Sequence, residues 1–192
     1  MEKRRPQGTE NLVGLLHAIK NKLQIAFTYH KFWEDEFTKR LVEPYALKEF
    51  KNRWYVLAKD QKEDQIKTFA LDRLTELVIT QKHFQIPIEF NINDYFNYCF
   101  GIITPSSKVE PEEIILSFTS FQGKYIKSLP LHETQEVLKD DDDSLLIKMK
   151  LNITHDFIME LLSMGENVKV IQPKSLIDDI KAVYKEALEN YN

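Results

Sequence analysis

The sequence predicts an α+β protein in two parts: a small, strongly bent sheet or barrel, then a ferredoxin-like α+β unit. Three observations carry this. Residues 12–80 read as one helix followed by five short strand-like runs with polar turns between them. Residues 113–190 follow the order strand, helix, strand, strand, helix, strand, helix. Between the two, Pro87, Asn91, Asn93, Pro105, Ser106, Ser107 and Pro111 mark irregular chain. The expected division is therefore a first domain at 12–80, a connector at 81–110 and a second domain at 111–192.

Taken in order, residues 12–23 place Leu12, Leu15, Leu16 and Ile19 at helical spacing, with Asn11 as N-cap. Ile25, Phe27 and Tyr29 alternate with polar neighbours, as in a half-buried strand. After the acidic break Glu34–Asp35–Glu36 come strands at 37–49, 54–59, 65–72 and 74–80. The connector holds the aromatic cluster Tyr95, Phe96, Tyr98 and Phe100, with a short helix at 93–98 capped by Asn93. Beyond it, 113–119 is a strand and 121–128 a helix. Residues 134–139 and 145–153 form a hairpin around Asp140–Asp143. Phe157, Ile158, Leu161 and Leu162 stripe a helix that stops at Gly165. Residues 168–171 are a strand, and Pro173 opens a last helix.

The composition excludes several function classes. With 43% hydrophobic and 29% charged residues the chain can bury a core and is not disordered. A single cysteine, Cys99, makes no internal disulfide and suits a reducing, cytoplasmic compartment. Flanked by aromatics, it reads as a buried small hydrophobe. No apolar run reaches the ~18 residues of a membrane span, and no apolar stretch follows the basic Met1–Gly8 segment to make a signal peptide. The net charge of −4 argues against a general DNA binder. Charge is unevenly spread: residues 1–80 hold 15 basic and 12 acidic side chains, the remainder 11 and 18. All five arginines (Arg4, Arg5, Arg40, Arg53, Arg73) precede residue 74.

No nucleophile elbow, P-loop or dinucleotide fingerprint is present, the histidines are scattered, and Asp140–Asp143 lacks the ligand spacing of a calcium loop. Neither an enzyme nor a cofactor or metal protein is expected. What remains is a basic–aromatic set, Arg40, Tyr45, Trp54, Tyr55, Lys67 and Arg73, within one small sheet. Arginine with stacking aromatics suits flat anions, nucleotides above all. Alternation lets at most one of Trp54 and Tyr55 face a ligand, the other being core. Arg73 follows Asp72, so an internal ion pair is its structural alternative.

The ordered series Arg40–Leu41–Val42–Glu43–Pro44–Tyr45, then Trp54–Tyr55–Val56–Leu57, then Phe69–Ala70–Leu71–Asp72–Arg73–Leu74 resembles the WYL family of bacterial sensor domains. The third letter of the name-giving triplet is Val56 here. Phe100–Gly101–Ile102 and Gly165–Pro173 resemble the C-terminal extension that accompanies WYL. The resemblance implies a small Sm-like, SH3-type β-barrel followed by a ferredoxin-like α+β domain. It implies a ligand-sensing module of a transcriptional regulator, binding an anionic effector such as a nucleotide or single-stranded nucleic acid. It places Arg40, Tyr45, Trp54 and Arg73 at or near the pocket. In the extension Tyr125, Lys127 and His132 are the available groups, Lys127 being the basic one. Duplex DNA would be bound only through a helix-turn-helix, for which residues 1–11 are too short, so the chain is expected to be a fragment of a regulator. A homodimer is compatible with all of this. The alternative is a protein–protein interaction module whose aromatics form an interface.

Overall fold

The computed structural model describes residues 6–105 and 109–192. Arg4, Arg5, Ser106 and Ser107 lie outside them. The chain divides into two compact units, Met1–Ile92 and Asn93–Asn192.

The first unit opens with helix α1 (Leu12–Lys20). Five strands follow: β1 (Leu23–Lys31), β2 (Glu36–Phe50), β3 (Arg53–Asp60), β4 (Gln65–Ala70) and β5 (Leu74–His83). Their order in the sheet is β4-β3-β2-β1-β5, with every neighbouring pair antiparallel. The first four strands form a meander. A single 3-10 turn, Leu71–Arg73, then carries the chain from β4 back to β1, where Leu74 pairs with Tyr29. Only a curled sheet allows so short a crossing, which makes this a barrel-like fold. Lys51 and Asn52 both take positive φ (47° and 62°) and join β2 to β3 in a two-residue hairpin. A turn of this hand matches the twist of its strands. A register shift between Pro44 and Ala46 marks a bulge in β2, where proline lacks the ladder donor.

Inward residues fill the barrel at alternate positions: Ile25 and Phe27 of β1, Val42 of β2, Val56 and Ala58 of β3, and Phe69 of β4. α1 closes one side with Leu15 and Ala18. Its expected stripe is rotated, since Leu16 stands exposed and Ala18 takes the contact. Gly14 faces Ile79 and Leu77 of β5, 3.6 and 3.8 Å from where a Cβ would sit, which is ordinary contact distance. The helix ends at Lys20, three residues early, because Lys22 adopts positive φ and β1 begins at Leu23. β5 runs to His83, and Phe84 packs on Tyr45, so these residues belong to the first unit.

The second unit contains β6 (Glu112–Thr119), α3 (Ser120–Ser128), β7 (Glu136–Asp140), β8 (Ser144–Leu151), α4 (His155–Ser163), β9 (Val168–Gln172) and α5 (Lys174–Glu189). The sheet order β7-β8-β6-β9, antiparallel throughout, is the ferredoxin-like arrangement. Ile114, Leu116 and Phe118 of β6 and Leu145, Ile147, Met149 and Leu151 of β8 point to one side, where Phe157, Leu161 and Leu176 complete the core. The short helix α2 (Ile92–Phe96) starts one residue before Asn93, which therefore lies in its first turn and is not the cap. Ahead of β6, Gly101 takes φ +87° and lets the chain fold onto Asp156, whose Oδ2 accepts the Ile102 and Ile103 amides.

Candidate functional site

Arg40 of β2 shares the barrel's inward face with Val42 and is 8% exposed. Its Nη1 donates to Asp60 Oδ2 at 2.6 Å and to Glu63 Oε1 at 2.7 Å, and its Nε donates to Thr38 Oγ1. Asp60, at the end of β3, is fully buried, and its Oδ1 accepts the Lys62 amide. Lys67 of β4 holds the other oxygen of Glu63. Burial pulls the Arg40 pKa down, but the hydrogen bonds to Glu63 and Asp60 outweigh it and the net shift is upward. Hydrogen bonds from Lys67 and then Arg40 hold the Glu63 carboxyl well below its ordinary range, at about 2. Arg40 is thus the centre of an internal charge network closed by the β3–β4 turn.

Arg73 stands differently. It ends the 3-10 turn, and its guanidinium carbon lies 4.2 Å from the centre of the Phe32 ring, a cation–π contact. Its Nε is buried and has no hydrogen-bond partner among the described residues. The expected alternative, a pair with Asp72, does not form: Asp72 accepts from Arg53 at 3.2 Å. Tyr29 touches the chain close to each arginine. It pairs with Thr38 across β1–β2, the residue that takes Arg40 Nε, and its hydroxyl accepts the Ala70 amide just before the turn that carries Arg73.

Tyr45, 6% exposed, is covered by Phe84 and Phe90 with ring centres at 5.9 and 5.0 Å. Its hydroxyl is buried, and burial, then the nearby Glu43 charge, raises its pKa. Trp54 packs half-buried against the barrel core while Tyr55, on the opposite face of β3, is also buried. Lys127 belongs to the second unit, where it pairs with Asp140 at 2.6 Å. The four expected residues of the first unit therefore do not form one contact set. Arg40 lies in its network with Asp60 and Glu63, Arg73 rests on Phe32, Trp54 supports the core, Tyr45 lies under the segment after β5, and Lys127 belongs to the second unit.

Sequence reasoning passed over the β1–β2 hairpin tip. Phe32, Trp33 and Phe37 are 54%, 98% and 63% exposed. His30 stacks on Phe37 with 4.2 Å between centres and 12° between planes, and meets Asp35 at 2.7 Å. The signal was present: Phe32–Trp33 inside a turn cannot both reach a core, and exposed aromatics in a cluster mark contact surfaces.

Residues 10–79 match the model of the WYL domain and residues 110–188 that of the WCX domain. The chain thus carries a WYL domain followed by a WCX domain. Arg40, Arg73 and the aromatic tip stand within its WYL domain, and Lys127 within its WCX domain. Protein PafB of Mycobacterium tuberculosis and Protein PafB of Mycobacterium bovis are each 32% identical over 69 residues, 35% of this chain and 21% of theirs. The chain spans about a fifth of the length of these curated relatives. Among solved structures, a CRISPR Cas-related protein is similar in fold over 96% of this chain and 53% of its own, with 14% identity and a TM-score of 0.56. Proteasome accessory factor B/C of Arthrobacter aurescens covers all of this chain with 29% of its own length, at 21% identity and a TM-score of 0.43. No helix among the described residues is long and apolar enough to cross a membrane.

Proposed function

We propose that this chain is the sensory part of a transcriptional regulator, and that its WYL domain binds an anionic, base-bearing effector: a nucleotide or a short single-stranded nucleic acid. The observation that carries this is Arg73. Its guanidinium rests on Phe32, its Nε lacks a partner, and Trp33 stands open beside Phe32 in the chain. A phosphate oxygen would accept from Arg73 while a base stacks on the exposed aromatic. Arg40 would enter second. Glu63 is exposed and is shared by Arg40 and Lys67, so an incoming anion would displace it and take both cations. That exchange would free the β3–β4 turn, giving binding a conformational output of the kind that repositions a DNA-binding domain. The carboxylates Glu34, Asp35 and Glu36 within the aromatic tip favour a second reading, in which the tip docks a basic protein surface.

The test is titration of the purified chain with short single-stranded DNA, RNA and mononucleotides across a salt series. Binding should weaken steeply with salt. Arg73→Ala should remove a charge-assisted contact of about 1.5–3 kcal/mol, roughly ten- to a hundredfold in affinity. Unaltered affinity in that variant would sink the site. No binding to any of these anions, together with capture of a basic partner abolished by Trp33→Ala, would replace it with the second reading.

A further inference from the structure

The second unit carries an open groove of about 520 Å³ between α5 and the edge strand β9, with Leu161 of α4 at its base. Its walls are apolar, formed by Val170 of β9 and Ile177 and Ile180 of α5. This volume lies within the range that holds small ligands, roughly 300–1,000 Å³. The groove is also charged at its rim. Lys169 of β9 and Lys181 of α5 line it, both exposed, and neither has a carboxylate partner among the described residues. Tyr184 stands beside them, with its hydroxyl 3.5 Å from the Leu162 and Gly165 carbonyls, the outer limit of a hydrogen bond.

Apolar walls with a cationic rim select a particular chemistry. A neutral hydrocarbon would leave the lysines unused, and a bare phosphate would leave the walls unused. A second copy joined through the β9 edge would bring two sets of unpaired lysines together, which like-charge repulsion opposes. We propose that this groove binds an amphipathic monoanion, a linear aliphatic carboxylate, with its chain along Ile177 and Ile180 and its carboxylate at Lys169, Lys181 and the Tyr184 hydroxyl. The site is independent of Arg73 and of the effector assigned to the WYL domain, so the chain would read two chemically different ligands.

The experiment is calorimetric titration of the full chain with decanoate below its micelle concentration, beside decanol and decylamine. Decanoate should bind at least tenfold tighter than decylamine and lose affinity with added salt. The double variant Lys169→Ala/Lys181→Ala should lower decanoate affinity about tenfold, to the level of decanol, with decanol binding and the melting temperature unchanged. Ile180→Asp should abolish both ligands, and its melting curve checks that the unit remains folded. The proposal is overturned if decanoate binds no better than decylamine or if the double variant retains wild-type affinity. It is overturned equally if sedimentation shows a dimer that decanoate does not perturb and Ile180→Asp dissociates.

Discussion

Replacing Arg40 by alanine should unfold the barrel at much lower temperature. The substitution strips the only cation that contacts Asp60 among the described residues. Asp60 is fully buried and would keep one donor, the Lys62 amide at 2.9 Å from Oδ1. Removing one partner of a buried ion pair costs roughly 3–5 kcal/mol, because the remaining charge stays out of water uncompensated. Glu63 adds little to this, being exposed and still held by Lys67. For a unit spanning Met1–Ile92 each kcal/mol lowers Tm by roughly 4–8 °C, so the drop should be at least about 12 °C. Both tryptophans, Trp33 and Trp54, lie in this unit, so a melt followed by tryptophan emission reports it alone. The double variant Arg40→Met/Asp60→Leu removes both charges and should recover most of the loss, since apolar replacement of a buried pair is often neutral. An Arg40→Ala protein melting within about 2 °C of the parent would refute this reasoning. So would a double variant melting no higher than Arg40→Ala.

Four further outcomes follow from the structure. Gly101→Ala should destabilise the second unit by more than about 1 kcal/mol, since φ is +87° and the new Cβ would stand 2.5 Å from Asp156 Oδ2. Asp156→Ala should expose the Ile102 and Ile103 amides to rapid hydrogen exchange, which NMR would register directly. Lys127→Ala should cost no more than about 1 kcal/mol in a chemical melt and leave anion binding by the WYL domain unchanged, because its pair with Asp140 is solvent-exposed. The Glu63 carboxyl is lowered from 4.5 to about 2, so its stabilisation is fully present above about pH 4.5 and is lost as pH falls toward 2. Glu63→Gln should therefore flatten the acid limb of tryptophan-monitored stability in that window.

Elements with strong local periodicity are legible in the sequence. The alternation of Ile114, Leu116 and Phe118, and of Leu145, Ile147, Met149 and Leu151, describes one face of a sheet without knowledge of the partner strand. Pro173 announces the last helix and Gly165 the stop ahead of β9. Where the pattern is permissive, local spacing misleads by small steps. α1 has apolar residues on more than one face, so only its docking partners decide that Ala18 is inside and Leu16 outside. Asn93 suits a cap, yet Ile92 already belongs to the helix.

By itself, then, the sequence determined the order and kind of nearly every element, because hydrophobic spacing is a property of neighbours along the chain. It also determined the arginine-rich, aromatic character of the first part. Only the tertiary structure decided what each arginine does. Arg40 meets Asp60 and Glu63, twenty and twenty-three residues away, because β2 and β3 pair in one register and the β3–β4 turn folds over them. Arg73 escapes Asp72 and lands on Phe32 because the 3-10 turn returns the chain to the far end of β1. Charges and rings are satisfied through space, and the distance between their partners is set by topology, which no local spacing encodes.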